Sequence, residues 1–214
     1  MSLNTCRRCG TCCRKGGPAL HQTDLGLLEH IPMSDLVCLR RGEPAFDPRK
    51  GGLEPLEHEL LKIRGKEGGW ECVYFSSQPT ECSIYEHRPL ECRSLSCSDT
   101  GEIFVAMETP VITRRDIVPP GTALWECIAE HEKLFPVSEA MRLASERAEG
   151  ARVTQDLGRM ISREQHFRHA LAEKVGARDT DLWAYFGRPL WMVLLPLDSA
   201  FARYEVSPNF MSNC

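Results

Sequence analysis

Three cysteines at successive intervals of three, Cys6, Cys9 and Cys12, with Cys13 directly behind them, stand at the start of a chain of 214 residues. Cys72, Cys82, Cys92 and Cys97 follow, so eight of the 11 cysteines fall in two groups. Thiols at that density serve disulfides, metals or redox chemistry, and the compartment decides among them. Residues 1–8 read MSLNTCRR, without the apolar stretch of a secretory leader. The longest apolar run, Leu190–Leu195, is closed by Pro196 after six residues, far short of the roughly 20 needed to span a bilayer. The expectation is a cytoplasmic protein with reduced thiols, in which clustered cysteines hold metal or do redox work; the odd cysteine count agrees.

Charge and composition narrow the partners. The 30 acidic against 26 basic side chains leave a net charge of −4, so there is no overall basic footprint for nucleic acid. Hydrophobic residues at 42% and charged residues at 26% belong to a folded globular chain. The expected partner is therefore a metal ion or cluster, with a protein partner left open, and with no nucleic acid and no membrane.

The spacing argues for particular metals. C-x2-C-x2-C lets one tight loop turn several thiolates inward, as bacterial ferredoxins do for a [4Fe–4S] cubane. A structural zinc site more often takes a C-x2-C pair from each of two knuckles. Here the later intervals are ten, ten and five, so no second pair exists. The first group leans toward iron–sulfur with a remote cysteine as last ligand, while zinc stays open because it tolerates irregular spacing. Side chains of the adjacent Cys12 and Cys13 tend to diverge: one ligates while the other packs, or the two serve different metals. In the second group, Pro89 suits the first position of a helical turn, which puts Cys92 three residues in, near free N–H groups. Arg88 and Arg93 flank it and would offset the charge of an anionic cluster bound there.

These two blocks, C-x2-C-x2-C-C and then Cys82-x-Ile84-Tyr85-x-x-Arg88-Pro89-x2-Cys92-Arg93, resemble the bacterial and archaeal cysteine-cluster family, CxxCxxCC, described as a zinc- or iron-chelating domain. The resemblance runs from Cys6 to about Cys97. It implies metal binding by Cys6, Cys9, Cys12, Cys13, Cys72, Cys82 and Cys92, with Cys97 at the edge of the pattern. A related cysteine pattern occurs in flagellin lysine N-methylases, which supplies a protein-modifying enzyme as an alternative. A zinc-stapled interaction module, with the helical half as its surface, is a third reading.

The rest of the chain reads as scaffold. Gly51-Gly52, Gly65 and Gly68-Gly69 mark loop, with a short helical piece at 56–64; strands are expected at 72–75 and 103–107. After Pro119-Pro120-Gly121 the pattern turns helical: Leu124, Ile128, His131 and Phe135 form one stripe, and Val137, Ala140, Met141, Ala144 and Ala148 a second. Thr154 caps a third helix that ends at Gly176, and Asp179 opens a fourth. The expected fold is mainly α with a small β element (α+β). Residues 1–120 would be a metal-stapled, loop-rich region that draws much of its folding energy from metal–thiolate bonds, packed on a helical region, 121–214.

His166 points opposite the apolar stripe of its helix and His169 well around from it, and Glu126, Glu130, His131 and Glu132 offer no inward-facing pair; both groups read as solvated surface. His87 is a spare ligand at most. Cys38 and Cys127 are expected in the core and Cys214 in a loose terminus. Neither glycine stretch is followed by Lys-Ser/Thr, so a phosphate-binding loop is unsupported. No catalytic base or nucleophile can be named, and enzyme activity stays undecided.

Overall fold

The computed structural model describes residues 6–66, 69–96, 101–146 and 154–205. About half of the structure is helical and the strands come in small pairs, a mainly α fold with a small β element. The strands are β1 (Leu36–Leu39), β2 (Pro44–Asp47), β3 (Gly52–Pro55), β4 (Leu60–Ile63), β5 (Phe75–Ser77) and β6 (Thr80–Cys82). β1 pairs with β4, β2 antiparallel with β3, and β5 antiparallel with β6. The helices are α1 (Leu90–Ser94), α2 (Gly101–Met107), α3 (Arg114–Ile117), α4 (Ala123–Leu134), α5 (Val137–Ser145), α6 (Gln155–Val175), α7 (Trp183–Phe186) and α8 (Leu190–Leu194). Among the described residues no helix is long and apolar enough to cross a membrane.

The chain folds into two compact units. The first draws on residues up to Cys38, on Leu60–Pro119 and on Trp183–Tyr185; the second takes Leu39–Glu59, Pro120–Leu182 and the chain from Phe186. Every residue of β1 is buried, whereas β4 alternates, with Leu61 and Ile63 inward. Neighbouring backbone completes the ladder: Leu20 N–H donates to the Leu61 carbonyl (2.9 Å), and the Leu61 and Ile112 amides donate to Ile112 and Leu20 (2.8 Å each). Leu20, Ile31, Leu36, Cys38, Leu61, Ile63 and Ile112 then form an apolar core, joined by Cys72, Phe75 and Ala184.

Three local expectations change. Residues 56–64 hold β4 and no helix, because Leu61 and Ile63 two residues apart meet backbone partners at Leu20 and Ile112. Residues 103–107 lie in helix α2, with Ala106 buried and Val105 67% exposed. A short apolar run does not distinguish strand from helix by itself. At 72–75 only Phe75 enters a strand, and Cys72 makes an isolated bridge to Gly65.

In the second unit the expected helices form. Thr122 and Thr154 accept N–H bonds from Trp125 (3.2 Å) and Leu157 (3.3 Å), and Gly176 closes α6 at φ +66°. Gly150 and Ala148, expected to end the α5 stripe, lie outside the described residues. The core is Phe135, Val137, Ala140, Leu157, Ile161, α8 and Phe201.

Charged groups run through that core, against expectation. His131 is fully buried, ringed by Phe135, Phe167 and Phe186 with centroids 5.2–5.4 Å away. Its Nε2 lies 3.3 Å from Glu164, which accepts from Arg168 Nε at 2.5 Å. Arg168 reaches Asp179 (2.9 Å) and the Phe186 carbonyl (3.0 Å). Arg40 is equally buried and grips Glu132 through two bonds, 2.8 and 3.1 Å. Glu126 and Glu130 are exposed as read; His131 and Glu132 are not simple surface. Helix geometry explains the difference: Glu164 and Arg168 sit on the stripe Leu157, Ile161, Glu164, Arg168, Ala172, and a charge on such a stripe must find a partner inside.

Candidate metal centre

All the described cysteines of the two groups belong to the first unit. The first group occupies a loop that closes through Arg14 N–H donating to the Gly10 carbonyl (2.9 Å) and a 3-10 turn over Cys13–Lys15. Gly10 stands at φ +76°, and a Cβ there would lie 2.2 Å from the Phe75 ring, so only glycine lets this loop settle on β5. Gly17 passes as closely over Ile63, where a Cβ would meet the carbonyl oxygen at 2.3 Å. The Cys72 amide donates to the Cys13 carbonyl at 2.8 Å, which docks one cysteine block directly on the other.

No disulfide joins any described cysteine. The Cys12 and Cys13 sulfurs lie 4.0 Å apart. Burial pushes the Cys13 thiol up to about 12, reinforced by Cys12, Cys72 and Cys82. Burial likewise raises Cys72 to about 11, with Cys82 and Cys12 adding to it. Cys92 is driven well above its ordinary value by burial and then by Cys72, Cys12, Cys13 and Cys82. Cys82 is raised by burial and by Cys6, while Arg88 and Arg8 pull it down. Six thiols, those of Cys6, Cys12, Cys13, Cys72, Cys82 and Cys92, thus share one electrostatic neighbourhood, and burial withdraws water from Cys13, Cys72, Cys82 and Cys92. The raised thiols of Cys13, Cys72, Cys82 and Cys92 stay protonated unless a cation takes up their charge, so the donor set suits a thiophilic metal or cluster. Among the described residues no three His, Cys, Asp or Glu side chains stand closed around one point as ligands of an ion.

Cys9 sits on the exposed side of its loop, its S–H directed at Thr11 Oγ1 (3.4 Å). Cys97 lies outside the described residues. Of the isolated cysteines, Cys38 is fully buried in β1, Cys127 is half-buried on α4, and Cys214 lies outside the described residues. His87 stacks on His30, ring centroids 4.2 Å apart, on the exposed surface. His166 is exposed and His169 pairs with Glu173 at 3.2 Å.

The arginines do more than neutralise. The guanidiniums of Arg88 and Arg8 lie 3.7 and 3.9 Å from the Tyr85 ring centre, so one aromatic ring engages both cysteine blocks. Arg88 Nε donates to the Tyr85 carbonyl (2.8 Å), and Arg93 Nη1 to the Arg88 carbonyl (3.0 Å). At φ +53°, Arg8 turns its backbone N–H onto the Cys6 sulfur (3.3 Å).

Asp24, His21 and Glu91 complete the neighbourhood, and sequence reasoning passed over them. Pro89 is the N-cap rather than the first helical residue expected of it, so Cys92 is the third residue of α1. The free N–H at that helix start is taken by Asp24: its fully buried carboxylate accepts from Leu90 N–H (2.9 Å) and His21 N–H (3.0 Å), and Arg93 approaches to 3.5 Å. Glu91, next to Cys92, accepts from Ala19 N–H (2.8 Å) and stands 3.3 Å from His21 Nε2, which holds His21 above its ordinary value. The short helix is therefore bolted at both carboxylates, and burial, not the helix start, governs the Cys92 thiol. The capping-box spacing of His21 and Asp24 was the available signal.

No curated protein and no solved structure matches the chain. A family model does: residues 5–110 match CxxCxxCC, described as "Putative zinc- or iron-chelating domain". That span holds every cysteine of the two groups and both carboxylates that fasten α1, and residues 5–110 are a domain of the CxxCxxCC family.

Proposed function

We propose that the protein binds an iron–sulfur cluster of the [4Fe–4S] type in the reducing cytoplasm, with zinc as the competing metal. The ligands come from Cys6, Cys9, Cys12, Cys13, Cys72, Cys82, Cys92 and Cys97, and Arg88 and Arg93 offset the negative charge. The observation that supports this reading is the set of desolvated thiols that raise one another's pKa. A lone divalent zinc uses four thiolates, fewer than the six that share this neighbourhood. A cluster would bring electron-transfer or redox-sensing capacity. For a metal centre, the chain's own contribution is a low-dielectric pocket, N–H donation to sulfur at Cys6, and arginines that temper the anion.

The test is purification without oxygen, with iron, zinc and acid-labile sulfide measured per chain and Mössbauer or electron paramagnetic resonance spectra recorded. Iron and sulfide in cluster ratio are expected. Stoichiometric zinc with neither iron nor sulfide overturns the cluster and leaves a zinc site.

A further inference from the structure

The second unit presents a surface that metal binding does not use. Between α4 and α6 runs a groove of about 610 Å³ whose floor is Cys127, Leu134, Phe135, Phe167, Ala170 and Leu171. A second cavity, about 500 Å³, shares Ser162 and Arg163 with it and extends the channel to Thr154. Only the first cavity is walled by α4, and it follows α6 from Ser162 to Lys174, about 18 Å at 1.5 Å per residue; the second continues along α6 against Tyr204.

One rim is positively charged at helical spacing. Arg159, Arg163, His166 and Lys174 line these cavities, all exposed, and no carboxylate pairs with Arg159, Arg163 or Lys174 among the described residues. On the α4 side neither Glu126 nor Glu130 lines the groove, and Glu130 is engaged by Lys133 at 3.4 Å, so α6 sets the sign. A basic edge beside an apolar floor is unexpected on a chain of net charge −4.

We infer that this groove is a docking site for an amphipathic helix of a partner protein, apolar on the face that enters and acidic along the edge that meets α6. A helix fits because the first cavity lies between two helices and its length accommodates about three turns. The acidic edge follows from charge complementarity with Arg159, Arg163 and Lys174. The apolar floor argues against nucleic acid as the occupant.

The test uses the full metal-loaded chain and two helical peptides of about 18 residues. Both carry leucines down one face; one has glutamates beside them, the other lysines. Fluorescence anisotropy should show the glutamate peptide binding at least tenfold tighter. Arg163→Glu with Lys174→Glu, both exposed, should abolish or invert that preference. Ala170→Arg, which fills the floor, should weaken both peptides about tenfold, with helicity and metal content unchanged; should it fail to fold, the charge-reversed variant decides alone. Equal binding of both peptides, no binding of either, displacement by a single-stranded oligonucleotide, or self-association lost in Ala170→Arg would each overturn the inference.

Discussion

Cys38 and Cys92 show how one residue type meets opposite surroundings in one unit. Cys38 packs at zero exposure among Leu20, Leu36 and Ile63, as a small hydrophobe. Cys92 is also desolvated, but its neighbours are other thiols, and its helix is anchored by Asp24 and Glu91. The expected outcome of substitution separates the two. Cys38→Ser places a hydroxyl in the apolar core and should cost about 1–3 kcal/mol while metal content stays at the wild-type level. Cys92→Ser should lose metal. Asp24→Ala, which leaves the Leu90 amide without its acceptor, should speed metal transfer to a competing chelator, and Asp24→Asn should restore part of the retention. Elemental analysis, chelator kinetics and urea denaturation measure these effects. Equal metal content in all four variants would refute the assignment of Cys92. Both cysteines were visible in the sequence, and the isolated Cys38 lies buried in the core as its lack of neighbours at ligand spacing suggested. Asp24 was not found that way, because its partners Leu90 and Arg93 lie more than sixty residues away.

Helix α6 shows what periodicity reveals and conceals. Its caps at Thr154 and Gly176 and its apolar stripe were legible, since both depend on local backbone geometry. The ion network on that stripe was not, because it is completed by Arg40, Asp179 and α4. Burial holds His131 down at about 4, aided by Arg40 and Arg168 and opposed by Glu164. Glu164 is held at about 2: burial works to raise it, and Arg168 and His131 override that. His131 is thus neutral in the fold, whereas an unfolded histidine ionises near 6.5. Between those values the unfolded chain binds a proton that the folded chain refuses. The contribution is complete above pH 6.5 and is lost as pH falls toward about 4. Below 4.5 the depressed Glu164 extends the loss. Denaturation midpoints from pH 7.5 to 4.5 should therefore decline, and His131→Phe, in a pocket already built of phenylalanines, should flatten the decline. A slope unchanged in that variant would place the titration elsewhere.

At the scale of the molecule, the first unit has more internal support than its sparse apolar sequence suggested. Leu20, Ile31, Leu36, Leu61, Ile63 and Ile112 come from three separate stretches and form the greater part of a core in which Cys72 is the one buried residue proposed as a ligand. Metal removal should therefore loosen the loops around residues 6–16 and 72–96 and leave the β1–β4 pair and the α4–α6 helices protected. Hydrogen exchange with and without chelator reads this directly; uniform loss of protection through residues 36–39 and 60–63 would mean that metal carries the whole unit. The sequence alone determined the cysteine blocks, the family they signal, the helices after Pro119 and their caps, because each rests on spacing within one stretch of chain. Tertiary structure alone decided that residues 60–63 form a strand and that 101–107 form a helix. It also brought six thiols together with Asp24 and Glu91, and drew buried charges into the helical core. Those outcomes depend on which distant segments supply hydrogen-bond partners and exclude water, and no local pattern encodes that.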